Sequence, residues 1–204
     1  MLDVGVRIIE KWYPRSVVTG GFIAIGSGPA GLSAAETFRS KHPNIPVRML
    51  TTDPALPYAK PPLSKAYLCG REAKLDLHSP GWFVRHNVEL VRGITVDHID
   101  LARQEVVTEG GRRYPYWHLV LACGANPVPL RVPGAEAALA LRSFADAVIL
   151  RMAARSADSA VVIGGGLIAC EAAACLAARG VPTTMVAAEP VPLQRRFGDE
   201  VGER

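Results

Sequence analysis

Two glycine clusters carry the first chemistry visible in this sequence. Gly26, Gly28 and Gly31 lie in G-S-G-P-A-G, directly after the apolar run "GFIAIG" and before "LSAAETFRSKH". In a strand–turn–helix of this kind the first glycine permits the tight turn. The second lets a pyrophosphate approach the backbone, and the third lets helix and strand pack closely. The helix start, with Pro29 and Ala30, offers free N–H groups and a positive dipole end to the phosphates. An acid, Asp53, follows the next apolar run "PVRMLTT", where a dinucleotide fold places a partner for ribose hydroxyls. The competing reading is a flexible loop that happens to hold glycines.

The second cluster is Gly164, Gly165 and Gly166, with Ala169 where the third glycine would stand, an accepted variant. Gly164 and Gly166, with Leu167 and Ile168 opening the helix, are expected to form a second phosphate turn. The ribose-acid position at the end of the following strand is Ala187, and Glu189 lies two residues on. A carboxylate there would accept from ribose hydroxyls and repel a 2′-phosphate, whereas Arg195 and Arg196 would attract one. The competing reading is an ordinary helix–sheet turn.

The cysteines offer less. Cys69, Cys123, Cys170 and Cys175 form no C-x-x-C pair and have no histidine at zinc spacing, so no metal site is expected. Cys170 and Cys175 are C-x4-C on a helix. Five residues turn about 500°, which sends the two thiols to different faces, so both read as small helix-packing residues.

The elements that must position these residues follow from the apolar pattern. Strand, glycine turn, helix and strand occur at 22–53 and again at 160–189, an internal repeat of one βαβ unit. Between them, Pro54, Pro57, Pro61 and Pro62 exclude a regular helix or central strand, and a short helix is expected to start near Ser64. Residues 88–108 alternate in short β pieces. Gly110-Gly111 signals a hairpin between "EVVTE" and "RRYPYW", "HLVLACG" reads as a further strand, and "ADAVILRMAARSAD" as a helix with a linker behind it.

Composition limits the function classes. With 204 residues, 49% hydrophobic and 21% charged, the chain has the make-up of an ordinary soluble protein. No apolar run reaches the roughly 18 residues of a membrane helix, and the start has no secretory layout, so a cytoplasmic location is expected. The net charge of +4 is scattered, without a basic stripe interleaved with aromatics, which argues against nucleic acid and suits anionic cofactors.

The proline loop makes a resemblance specific. "LPYAKPPLSK", Leu56 to Lys65, resembles the P-Y-x-R-P-P-L-S-K loop of the FAD-dependent ferredoxin and rubredoxin reductases and of apoptosis-inducing factor. "LVLACGANPVPLRVPG" resembles their A-T-G-A-x-P segment, "LRSFADAVIL" their connector, and "GGGLIACEAA" their G-G-G-x-I-G-x-E-x-A. The resemblance spans about 22 to 204. It implies an α/β fold with a Rossmann-like FAD-binding domain, a small β-meander and a partial second Rossmann-like NAD(P)-binding domain. The expected boundaries are an N-terminal extension at 1–20, an incomplete FAD domain at 21–142, a connector at 143–158 and a truncated NAD(P) domain at 159–204.

The resemblance also implies roles. Gly26, Gly28 and Gly31 would hold the FAD pyrophosphate, and Asp53 would lie near the adenosine ribose. Lys60 stands where relatives usually have Arg, near the FAD phosphates and flavin. Lys65 would lie near the reactive edge of the flavin and pair with Glu171. Val96 and Gly124 match backbone contacts to FAD. Some departures are plain: Cys123 replaces Thr, Trp117 replaces a common Asp, Thr52 a common Glu, and Ala187 a frequent Glu, with Glu189 favouring NADH over NADPH. The implied activity is NAD(P)H oxidation through FAD, with a small iron–sulfur or rubredoxin-type protein as electron acceptor. The family's returning FAD segment and C-terminal domain do not follow in these residues. The expected reading is a truncated or split form, with a second chain as one way to supply the rest, and with weak FAD binding by this chain alone. A nucleotide-binding module without turnover, or an inactive fragment, remains the alternative.

Overall fold

The computed structural model describes residues 7–9 and 20–203, so most of the expected N-terminal extension lies outside the described residues. The chain divides into two compact units, Met1–Ala59 with Asp76–Ala125, and Lys60–Leu75 with Asn126–Arg204.

The first unit contains β1 (Arg7–Ile9), β2 (Gly21–Ile25), α1 (Pro29–Lys41), β3 (Val47–Thr51), α2 (Pro80–Arg85), β4 (Val88–Arg92), β5 (Val96–Asp100), β6 (Glu105–Thr108) and β7 (Arg113–Leu121). Its strands form one sheet in the order β4-β3-β2-β7-β6-β5, with β1 paired antiparallel to β7. The β4-β3-β2-β7 half is parallel, and the β7-β6-β5 half is an antiparallel meander.

Strand β2 is buried at all five positions, the mark of a central parallel strand covered on both faces. Its side chains alternate between two cores. Phe22 and Ala24 join Val47, Met49 and Val120 against Leu32 and Ala35 of α1. Ile23 and Ile25 join Leu50, Leu119, Val106 and Tyr114 on the opposite face. At about 1.5–3 kcal/mol for each large apolar side chain removed from water, these two layers hold the first glycine turn in place.

Strand β7 joins two pieces that the sequence pattern separates, "RRYPYW" and "HLVLACG". Pro115 explains both the expectation and the outcome. It pairs with Glu105 of β6, while β2 first meets β7 at Tyr116, so no ladder from β2 needs the missing N–H. The hairpin before it turns at Gly111, whose φ of +75° suits glycine.

The second unit holds α3 (Phe144–Ala153), β8 (Ala160–Ile163), α4 (Leu167–Ala178), β9 (Thr183–Val186), α5 (Gln194–Phe197) and α6 (Asp199–Gly202). Strands β8 and β9 are parallel, and α4 packs between them in sequence as the crossover of a βαβ unit. Helix α3 starts at a full capping box, with Ser143 and Asp146 exchanging side-chain and backbone hydrogen bonds. Burial works against the Asp146 carboxylate. Hydrogen bonds from Ser143 and the Arg142 N–H, with the charge of Lys60, outweigh it and hold the acid below its ordinary value.

Two expectations change in this unit. The helix expected to begin near Ser64 is a single 3-10 turn, Pro61–Ser64, that ends there, because two prolines suit the first turn and Lys65 leaves helical geometry. Cys175 is no packing residue: it is disulfide-bonded to Cys69, 106 positions away. Spacing along one helix separates Cys170 from Cys175 correctly but says nothing about a partner so distant in sequence. Cys170 is a free thiol. Among the described residues, no helix is long and apolar enough to cross a membrane.

Candidate functional site

In the first unit, β2 is followed directly by Gly26, which has a φ of +105°. A Cβ there would stand 2.1 Å from the Ala122 carbonyl oxygen at the end of β7. A Cβ on Gly31 would meet the Gly26 carbonyl oxygen at the same 2.1 Å. These two glycines are required by the fold itself. Gly28 differs: a Cβ there would meet nothing within 4 Å, and its φ of −67° suits any residue. The fold leaves room beside Gly28 that it does not use.

Helix α1 starts beside that room. Gly28 is its N-cap and supplies no side-chain cap, Pro29 occupies the first turn, and no acid lies there. Pro29 and Ala30 are exposed, so the first-turn N–H groups face solvent with the positive end of a 13-residue helix behind them. Asp53 lies just beyond β3. Its Oδ1 accepts from the Ala55 N–H at 3.0 Å, and its Oδ2 accepts from the Tyr58 hydroxyl at 2.8 Å. It therefore ties down the proline loop, while a carboxylate with two oxygens retains further acceptor capacity. Gly124, exposed with a φ of +73°, follows β7, and Val96 opens β5 at a half-buried position.

The second unit repeats the turn. Gly164 has a φ of +121°, and Gly166 is the N-cap of α4, with no side-chain cap, no acid in the first turn and nothing within 4 Å of a Cβ. Leu167 and Ile168 lie exposed on the first turn. Glu189 is beside this turn: its Oε2 is 3.6 Å from a Cβ built on Gly165, and its Oε1 lies 2.6 Å from Nε of Arg195. The acid and the arginine that pointed to opposite nucleotide preferences thus form an ion pair here, which leaves Glu189 Oε2 beside the glycine turn.

The same unit brings Lys65 and Glu171 together. Lys65 Nζ lies 2.9 Å from Glu171 Oε1, and the buried Ser64 hydroxyl donates to Glu171 Oε2 at 2.5 Å. The hydrogen bond from Ser64 holds the Glu171 carboxyl below its ordinary value; burial opposes this, and the Lys65 hydrogen bond and charge add to it. Lys60, at the N-terminal end of the 3-10 turn, donates to the Arg142 carbonyl oxygen at 3.4 Å. The hydrogen bond from Ser64 to Glu171 and the pairing of Arg195 with Glu189 are the contacts that sequence reasoning missed. Ser64 adjoins Lys65, but nothing in its residue type announces a carboxylate 107 positions away.

Residues 22–204 match the family model described as pyridine nucleotide-disulphide oxidoreductase. The chain belongs to this family. It is 32% identical to rubredoxin-NAD(+) reductase of Pseudomonas putida over 85% of this chain and 46% of that protein. It is 38% identical to rhodocoxin reductase of Rhodococcus erythropolis over 85% of this chain and 42% of that one. The covalent putidaredoxin reductase–putidaredoxin complex superposes with a TM-score of 0.83 at 32% identity, covering 89% of this chain and 45% of the solved one. The chain thus spans a little under half the length of these relatives, and the α/β, Rossmann-like fold is shared across the matched part. Oxidoreductases of small redox-protein systems are its relatives, and the family implies FAD and pyridine nucleotide binding.

Proposed function

We propose that this chain supplies the two dinucleotide turns and the Lys65–Glu171 contact of an FAD-dependent NAD(P)H oxidoreductase that serves a small iron–sulfur or rubredoxin-type acceptor. The observation that carries the reading is the contrast among the glycines. Gly26 and Gly31 are packed against backbone, while Gly28 and Gly166 border open space at the uncapped starts of long helices. Open room next to free N–H groups fits a pyrophosphate in each unit.

In this reading Gly26, Gly28, Pro29, Ala30 and Gly31 hold the FAD pyrophosphate, with Asp53, Val96, Gly124 and Lys60 contributing to the rest of that cofactor. Gly164, Gly166, Leu167 and Ile168 hold NAD(P)H, and Glu189 accepts from its ribose and favours NADH. The chemistry itself would be the cofactors', which when bound would supply a two-electron transfer from NAD(P)H through FAD to the acceptor. The protein's part is binding and charge. Glu171, which accepts from the Ser64 hydroxyl, pairs with the Lys65 ammonium and so orients the lysine beside α4.

The test is a titration of the 204-residue chain with FAD, followed by NADH or NADPH oxidation with an artificial acceptor. Weak but saturable FAD binding, with slow NADH oxidation that rises on co-expression with the C-terminal half of a relative, supports the proposal. Saturable binding with no oxidation even on co-expression would assign a nucleotide-binding module instead. Failure to bind FAD at millimolar concentration in the co-expressed pair would remove the flavin assignment.

A further inference from the structure

Two cross-links join residues 64–70 to helix α4, and they run in register. Lys65 meets Glu171, and four residues on along each segment Cys69 is bonded to Cys175. Four positions are about one helical turn on both sides. The Cys69 N–H donates to the Lys65 carbonyl oxygen at 2.9 Å, and Glu171 and Cys175 are i, i+4 on α4. The disulfide therefore sits one turn from the ion pair and fastens the same two segments.

We propose that Cys69–Cys175 is a reversible thiol–disulfide exchange site whose co-reactants are small dithiols and disulfides, and that its state sets how firmly Ser64 and Lys65 are held against Glu171. The two cysteines differ in burial. Cys175 is 4% exposed, whereas Cys69 is half-buried and adjoins exposed Gly70. A dithiol's thiolate attacks Cys69 Sγ; a new S–S bond forms there, the protein bond breaks, and its electron pair leaves on Cys175, which takes a proton. The second thiolate of the reagent then attacks the reagent's own sulfur in the mixed disulfide, forming a cyclic disulfide and releasing Cys69 as a thiol. The protein gains two electrons and two protons, and the dithiol loses them. A small disulfide runs the exchange backwards.

The reduced state has a place to go. Cys175 Sγ lies 3.2 Å from the Lys65 carbonyl oxygen and 3.5 Å from that of Ser64, so the released thiol can donate to either. Arg179, which donates to the Leu68 carbonyl oxygen at 2.8 Å, and buried Leu68 keep the segment docked. Reduction thus replaces a covalent link by weak contacts, which loosens the Lys65–Glu171 site without dismantling it. The consequence for hydride transfer rests on the proposed function; the exchange chemistry and the loosening do not.

The experiment uses the 204-residue chain purified without reductant. Alkylation after denaturation should find two free thiols, Cys123 and Cys170, and four after prior treatment of the native protein with dithiothreitol. Amide hydrogen exchange then compares the two states. Exchange at Cys69, Gly70 and Arg71, whose N–H groups are bonded within this segment, should be at least tenfold faster when reduced, with Ile23 and Ala24 of β2 unchanged. The Cys69→Ser, Cys175→Ser double variant should match the reduced pattern; if it does not fold, the reduced parent protein carries the comparison. Four free thiols in the oxidised protein, a disulfide inert to dithiothreitol without denaturant, or equal exchange in both states would each overturn the proposal.

Discussion

A methyl group added at Gly28 and one added at Gly31 should have opposite consequences. At Gly31 the new Cβ stands 2.1 Å from the Gly26 carbonyl oxygen, well inside any tolerated contact, and the obstacle is backbone rather than a flexible side chain. Relief requires moving β2 or α1 against a close-packed core, at a cost of about 1–3 kcal/mol or more. At Gly28 the same methyl meets nothing within 4 Å, and φ −67°, ψ 177° are accessible to alanine. Stability should stay within about 0.5 kcal/mol of the parent, or rise by about 0.4–1 kcal/mol as the unfolded chain loses freedom. Binding should follow the reverse order. A Cβ at Gly28 occupies the room assigned to the pyrophosphate. Losing one charge-assisted hydrogen bond there costs about 1.5–3 kcal/mol, roughly a tenfold to hundredfold loss of FAD affinity. Urea unfolding followed by circular dichroism reads the first quantity, and quenching of flavin fluorescence reads the second. Gly28→Val is the more severe test of the same point. If Gly28→Ala destabilises as much as Gly31→Ala, or if Gly28→Val binds FAD as the parent does, the glycine argument fails.

Three further outcomes are expected. The Glu171 carboxyl is held below its ordinary value, so its contribution is fully present above the usual glutamate range and is lost as pH falls through the lower folded value. Glu171→Gln should flatten the acid limb of the stability–pH curve below the usual glutamate range. At neutral pH it should cost only about 1 kcal/mol, since Lys65 is 54% exposed and its ion pair is screened; a parent-like acid limb in the variant refutes this. Reduction of Cys69–Cys175, which closes a loop of 106 positions, should lower the free energy of unfolding by about 2–5 kcal/mol in urea titrations, and no change would show that the disulfide is absent in solution. Glu189→Ala frees Arg195 and removes a negative charge beside the second turn, so any preference for NADH over NADPH should shrink by roughly tenfold in Kd; an unaltered ratio counts against Glu189 as the ribose acid.

Much of this architecture is legible in the sequence because its signals are local. The continuous apolar run of β2, the glycine turn and the start of α1 follow one another within twenty residues, and the second copy repeats them. The signals that were lost are those that depend on distant partners. Pro115 suggests a break in β7 until the neighbouring strand is known to begin at Tyr116. Cys175 looks like a packing residue until Cys69 arrives from 106 positions away, and Ser64 looks like a helix start until Glu171 arrives from 107. The glycines are a case in between. The spacing G-x-G-x-x-G already divides the work, with the first glycine for the turn, the third for packing and the second for a ligand. What the spacing lacks is a measure of how strictly each position demands glycine, and that comes from the absent Cβ. It collides with backbone at Gly26 and Gly31 and enters empty space at Gly28 and Gly166. Packing alone would tolerate side chains at the latter two positions, so their retention as glycine in both units is the structural reason to look for a phosphate there.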